Sequence, residues 1–158
     1  MLDLCRDLPA VRYEPGVTLL SEGEQTGILY ILIEGRVEIV KGAFQVYETS
    51  EPGSVFGEIS ALLNIPHTAT VKTLGTCRMH VVSRAADFLP SNPDIAFYLS
   101  RLLAQRLHSV TSYLVDLKSQ FEDRHDHLGM VDEVLHSILH QQDEVFVPGS
   151  DRCPDTKI

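Results

Sequence analysis

The chain has 158 residues, 44% of them apolar and 22% charged, an ordinary globular composition that argues against wholesale disorder and for one domain. Its net charge is −9, and no run of Lys or Arg is long enough to form the basic face that a nucleic-acid backbone requires. The longest unbroken apolar stretch, 28–33, is far short of the roughly 20 residues that span a bilayer.

Asp3, Arg6 and Asp7 interrupt the N-terminus, so no export signal is expected there. The three cysteines, Cys5, Cys77 and Cys153, are scattered and odd in number, which suggests neither a disulfide framework nor a metal pair. A reducing cytoplasm is the expected setting. Cys77 is expected in the core, and Cys5 and Cys153 as terminal free thiols.

From residue 11 to about 82 the sequence carries the punctuation of short strands. β-Branched and aromatic runs at 17–20, 28–33, 37–40, 46–49, 70–73 and 78–82 are separated by Gly and Pro. Leu29, Ile31 and Ile33 alternate with Tyr30 and Leu32, and Gly35 is expected to supply the positive φ of a tight reversal into 37–40. Many short strands at regular spacing predict a small roll or sandwich. The stretch 58–63 lacks alternation and predicts one or two helical turns.

Helical spacing takes over after Ser83. Asn92-Pro93-Asp94 reads as an N-cap side chain, Pro at the first helical position and an acid in the first turn. Leu103, Leu107, Val110, Leu114, Leu117 and Phe121 follow at intervals of 4, 3, 4, 3 and 4, a heptad seam. A narrow seam of this length predicts pairing with a second copy; the alternative lays it on the strand layer. Val131, Val134, Leu135 and Ile138 predict a second short amphipathic helix, and from Gln141 onward the chain reads as a loose polar tail. The division expected is a roll over 1–90, a long helix over 91–123, and a short helix with tail over 124–158.

The segment 52–71 carries the functional reading. Gly57 followed by Glu58 opens a short helix whose first N–H groups can meet an anion, and Gly57 lets backbone approach a ligand. Glu58 is a pure acceptor suited to a sugar hydroxyl; the other reading makes it an N-terminal acid that complements the helix dipole. Phe56-Gly57-Glu58-Ile59, then Leu62-Leu63, then Pro66 followed by Thr68-Ala69-Thr70-Val71, resembles the phosphate-binding cassette of cyclic nucleotide-binding domains. Gly23-Glu24, Leu29-Tyr30-Ile31-Leu32 and Gly35 with Val37 resemble that family's glycine-marked strand pair. The heptad helix is similar to the dimer helix of catabolite-activator type bacterial regulators.

The resemblance implies a mixed, mainly β fold. An antiparallel, jelly-roll-like β-roll (a double-stranded β-helix) is followed by a long C-terminal dimer helix and a short extra helix. It implies cAMP or cGMP as the ligand of the 56–71 cassette, with no other cofactor. Gly57 and Glu58 match the family's ribose-holding residues, and Ile59 lies in the same first turn. The amides of Ser60, Ala61, Thr68 and Ala69 fall where the family cradles the cyclic phosphate, and Thr111 falls where base contacts arise.

His67 stands where the family carries its phosphate-clamping Arg. A permanent two-pronged cation is replaced by a side chain mostly neutral at pH 7. A charged hydrogen bond contributes roughly 1.5–3 kcal/mol, so the exchange could weaken binding about tenfold to a hundredfold. Three readings stay open: a weak or pH-tuned cyclic nucleotide site, a site for another small anion, or an unused site serving an interaction scaffold. Only 35 residues follow Asp123, too few for a winged DNA-reading module, so the expected output is a partner protein, with neither nucleic acid nor membrane. His125 with His127, and His136 with His140, have ligand-like spacings but are read as solvated surface, with no metal. Glu58, Ser60 and His67 lack a nucleophile elbow and a paired acid–base system, so no enzyme is expected.

Overall fold

The computed structural model describes residues 1–120 and the positions 131, 134–136 and 138. Eight strands form two four-stranded antiparallel sheets. Their bounds are β1 Ala10–Tyr13, β2 Thr18–Leu20, β3 Leu29–Glu34, β4 Val37–Lys41, β5 Phe44–Thr49, β6 Val55–Phe56, β7 Thr70–Thr73 and β8 Cys77–Val82. One sheet has the order β1-β8-β3-β6 and the other β2-β7-β4-β5. Helices α1 Glu58–Leu63, α2 Ala85–Phe88 and α3 Pro93–Gln120 complete the described elements, after a 3-10 turn at Leu2–Cys5. This is the expected antiparallel roll followed by a long helix. The positions 131, 134–136 and 138 are helical, as their apolar spacing predicts. Phe121, His125, His127, His140 and Cys153 lie outside the described residues.

The chain divides into a compact unit Met1–Leu102 and a second that begins at Leu103. In the first, β3 is buried on both faces. Leu29 and Ile31 join Cys5, Val55, Val82, Ala85, Leu89, Ile95 and Leu99, so α2 and the start of α3 cover that side. Tyr30 and Leu32 join Leu19, Leu20, Val37, Phe56, Val71, Cys77 and Met79 on the other. A strand covered on both faces needs no polar alternation, which explains the continuous apolar run. At roughly 1.5–3 kcal/mol for each fully buried large side chain, four successive buried residues make β3 the main apolar contributor in the unit.

Three elements escape the sequence reading. The edge strand β1 has four residues and is mostly exposed, β6 has two residues, and α2 has four. Each is held by tertiary partners instead: β1 by β8, β6 by β3, and α2 by the Ala85 N–H on the Gly27 carbonyl. Asn92 also departs from expectation. Its carbonyl accepts the Ala96 N–H at 3.0 Å, but its side-chain amide donates to the Phe88 carbonyl at 2.8 Å. It therefore fastens the end of α2 rather than capping α3. Cys5 is a free thiol, yet it is fully buried, and burial pushes its pKa up.

Gly35 sits in the β3–β4 reversal at φ +112°, where a Cβ would stand 2.6 Å from both Cys77 Sγ and the Thr76 carbonyl oxygen. Neither neighbour can give way, because Cys77 belongs to the buried β8. Gly35→Ala is expected to cost about 2 kcal/mol or more of unfolding free energy, read from urea denaturation. An unchanged midpoint would show that the reversal relaxes freely.

Candidate functional site

The site is built around the join between β6 and α1. Gly57 ends the strand in the left-handed region, φ +89° and ψ +2°, and caps α1. A Cβ at this position would collide with the carbonyl oxygen of Ile28, so the two backbones touch across the join. This contact sends the chain directly into α1, whose first residue is Glu58, 5% exposed. Ala61 is the first amide the helix uses, donating to the Gly57 carbonyl at 3.0 Å. The amides of Ile59 and Ser60 precede it and are the first-turn donors available to an anion. The Ala61 amide, expected at the phosphate, thus already has an intrahelical use.

Ser60 is buried and its hydroxyl is committed, donating to the Ile65 carbonyl at 2.5 Å. The helix stops at Asn64, a non-glycine residue in the left-handed region at φ +54°, whose N–H returns to the Ser60 carbonyl. From there 65–69 leads into β7. Thr68 is exposed, Ala69 is partly buried, and the Ile59 side chain is exposed.

The loop joining β2 to β3, residues 21–28, is laced to this segment. Gly23 N–H donates to the His67 carbonyl at 2.9 Å, and His67 N–H donates to the Glu24 carbonyl at 2.8 Å. Glu22 N–H donates to Thr70 Oγ1 at 3.0 Å, and Gln25 Nε2 donates to Asn64 Oδ1 at 2.9 Å. The His67 ring is 4% exposed and lies with Nε2 2.8 Å from Thr26 Oγ1. Its other nitrogen, Nδ1, is buried and has no hydrogen-bond partner among the described residues. Burial lowers the His67 pKa, and the Glu24 carboxylate opposes that shift more weakly.

Of the residues expected at the site, Gly57, Glu58, Ile59, Ser60, Ala61, His67, Thr68 and Ala69 fall on one continuous run through α1 to the start of β7. Thr111 lies on α3, in the second unit. Thr26 and Gln25 escape sequence reading. Their partners lie some 40 positions away, and a Thr in a polar loop gives no local signal.

A histidine with a depressed folded pKa makes stability rise with pH. The unfolded state binds more protons below about pH 6.5, so this contribution is complete above that value and is lost as pH falls towards the folded pKa. The empty protein is therefore expected to be more resistant to urea at pH 7.5 than at pH 5.5. His67→Gln, which keeps a donor for Thr26, should reduce that difference. Equal slopes in both proteins would exclude His67 as the source.

A family profile for the cyclic nucleotide-binding domain matches residues 10–88. A CRP-like cAMP-activated global transcriptional regulator of Mycobacterium tuberculosis is 32% identical over 120 residues, covering 72% of this chain and 54% of the regulator. A potassium channel of Oryza sativa subsp. japonica is 28% identical over 110 residues, 66% of this chain and 15% of the channel. The chain thus spans about half the length of the regulator and a small part of the channel. Among solved structures, PKAR CBD2 bound to Sp-2Cl-cAMPS matches with a TM-score of 0.56 at 26% identity, over 66% of this chain and 70% of that one. The N-terminal domain of a transcriptional regulator from Streptomyces coelicolor matches with a TM-score of 0.52 at 25% identity, over 71% and 82%. With its antiparallel roll, its glycine-started cassette helix and these matches, the chain belongs to the cyclic nucleotide-binding domain family.

Proposed function

We propose that this chain is a cytoplasmic sensor whose 56–71 cassette takes cAMP or cGMP and whose α3 passes occupancy to a partner protein rather than to DNA. The observation that carries this reading is the buried Glu58 carboxylate at the start of α1, set there by the backbone contact between Gly57 and Ile28. A carboxylate accepts but does not donate, so it suits a ribose 2′-hydroxyl. The Ile59 and Ser60 amides and the Thr68–Ala69 segment supply donors for a cyclic phosphate. Thr111 on α3 is the residue assigned to the base. No catalytic step and no metal enter this reading.

Output runs through a homodimer on the seam Leu103, Leu107, Val110, Leu114, Leu117 and Phe121. Leu107 and Val110 are half-exposed on α3, apolar surface that a second copy would cover. The 131–138 helix is assigned to the partner protein.

A second reading, a ligand-free interaction scaffold, is favoured by one observation: His67 is folded against Thr26 and carries no stabilised positive charge. Calorimetry separates the two. Wild type is expected to bind cAMP or cGMP, and Glu58→Gln to weaken binding about tenfold or more, because a charge-assisted acceptor is lost. The melting temperature of empty Glu58→Gln protein should scarcely move. The absence of both a binding heat and a melting shift at millimolar nucleotide would establish the scaffold reading.

The dimer has its own test. Val110→Asp combined with Leu114→Asp places charges on facing helices and should yield monomers in analytical ultracentrifugation. A wild-type chain that sediments as a monomer at tens of micromolar would remove the seam from the proposal.

A further inference from the structure

Every residue of α3 from 104 to 110 is exposed, the apolar Leu107 and Val110 included. One residue further on the pattern changes. Thr111, Leu114, Leu117 and Lys118 are partly buried, whereas the residues between them stay exposed. Positions three, six and seven residues apart share one face of a helix, so that face is covered over about two turns and the rest of α3 there is not.

A lone helix has no interior, yet the unit that begins at Leu103 is compact in itself. A second element within the unit therefore lies against α3. Its other described positions are helical and carry the matching pattern: Val131, Val134, Leu135 and Ile138 are partly buried, and His136 is exposed. Both stripes span two helical turns, about 10 Å at 1.5 Å per residue. The sequence between the two described segments, 121–130, is short, and a short connection makes neighbouring helices antiparallel. Running one stripe against the other then sets Leu117 beside Val131, Leu114 beside Val134 and Leu135, and Thr111 beside Ile138.

We propose that the 131–138 helix folds back along α3 and occupies the C-terminal half of the seam, competing with a second copy of this chain for Leu114 and Leu117. This rests on the proposal that the seam is a dimer interface. Among the described seam positions only Leu107 and Val110 are exposed, far fewer than the roughly 20–30 residues a side of a stable interface. A second copy gains a continuous seam as the fold-back helix gives way. A partner protein with an apolar groove for an amphipathic helix would take the 131–138 helix from α3 and so promote the dimer.

The test joins a cross-link to a sedimentation series. Leu117→Cys and Val131→Cys are combined with Cys153→Ser in the full chain, Cys5 and Cys77 being buried. A short bismaleimide is expected to join the two positions within one chain, read from the intact mass and the linked peptides. The linked protein should sediment as a monomer at tens of micromolar, where the unlinked protein is a dimer. In a chain with its native cysteines, Val134→Asp with Ile138→Asp sets charge against the covered face of α3 and releases the helix. Its self-association should be about tenfold tighter than that of wild type in a dilution series.

A link between chains, no link, a linked protein that still dimerises, or an Asp variant that associates no more tightly than wild type overturns the fold-back and leaves the seam intact. A wild-type chain that sediments as a monomer at tens of micromolar removes the seam, and this inference with it. Should the double-cysteine chain fail to fold, the Asp variant decides alone.

Discussion

The backbone contact between Gly57 and Ile28 governs how the first unit is put together. A side chain is excluded at Gly57 twice over, by a φ of +89° and by the carbonyl oxygen that occupies the Cβ position. With the two backbones in contact, β6 ends directly beside the residue that leads into β3. The same point then launches α1, so the position of Glu58 and the start of the central strand depend on one contact. The 21–28 loop follows from it: its far end is fixed at Ile28, and hydrogen bonds from Glu22, Gly23, Glu24 and Gln25 fasten the rest to 64–70.

This arrangement links fold stability to the site. β3 begins one residue after the contact and shares its side chains between two apolar clusters, one beneath α2 and early α3, the other between the sheets. The Ala85 N–H donates to the Gly27 carbonyl at 3.0 Å, so α2 is fastened to the same loop. A cradle fastened at this many points limits the entropy lost on binding.

Much of this was legible in the sequence. The bounds of β7 and α1 agree with the runs that predict them, and β2, β3, β4, β5 and β8 differ from theirs by a few residues at most. These elements announce themselves through β-branched runs bounded by Gly and Pro. The positive φ at Gly35 was readable because a reversal must occur between two apolar runs. What was not readable is held by partners distant in sequence. β1 is too short and exposed to announce itself, and β8 pairs with it in register from Ala10 with His80 to Tyr13 with Cys77. Asn92 looks like a cap in isolation, but the nearby Phe88 carbonyl takes its amide instead. His67 appeared as a substitution in a motif; its burial and its bond to Thr26 come from a loop 41 residues upstream. Local pattern named the cassette, and tertiary structure decided the state of its most unusual residue.

The two described thiols offer a further use of the fold. Cys5 sits in the first turn of the chain and Cys77 on β8, between β1 and β3 in its sheet; both are free and fully buried. A thiol-reactive reagent can reach either only after the protein opens around it, and Cys5 is slowed further because burial disfavours its thiolate. Fraying of the N-terminal turn exposes Cys5 alone, whereas Cys77 requires separation of the sheet. The chain therefore carries two native chemical clocks, one set to local opening and the other to opening of the sheet core.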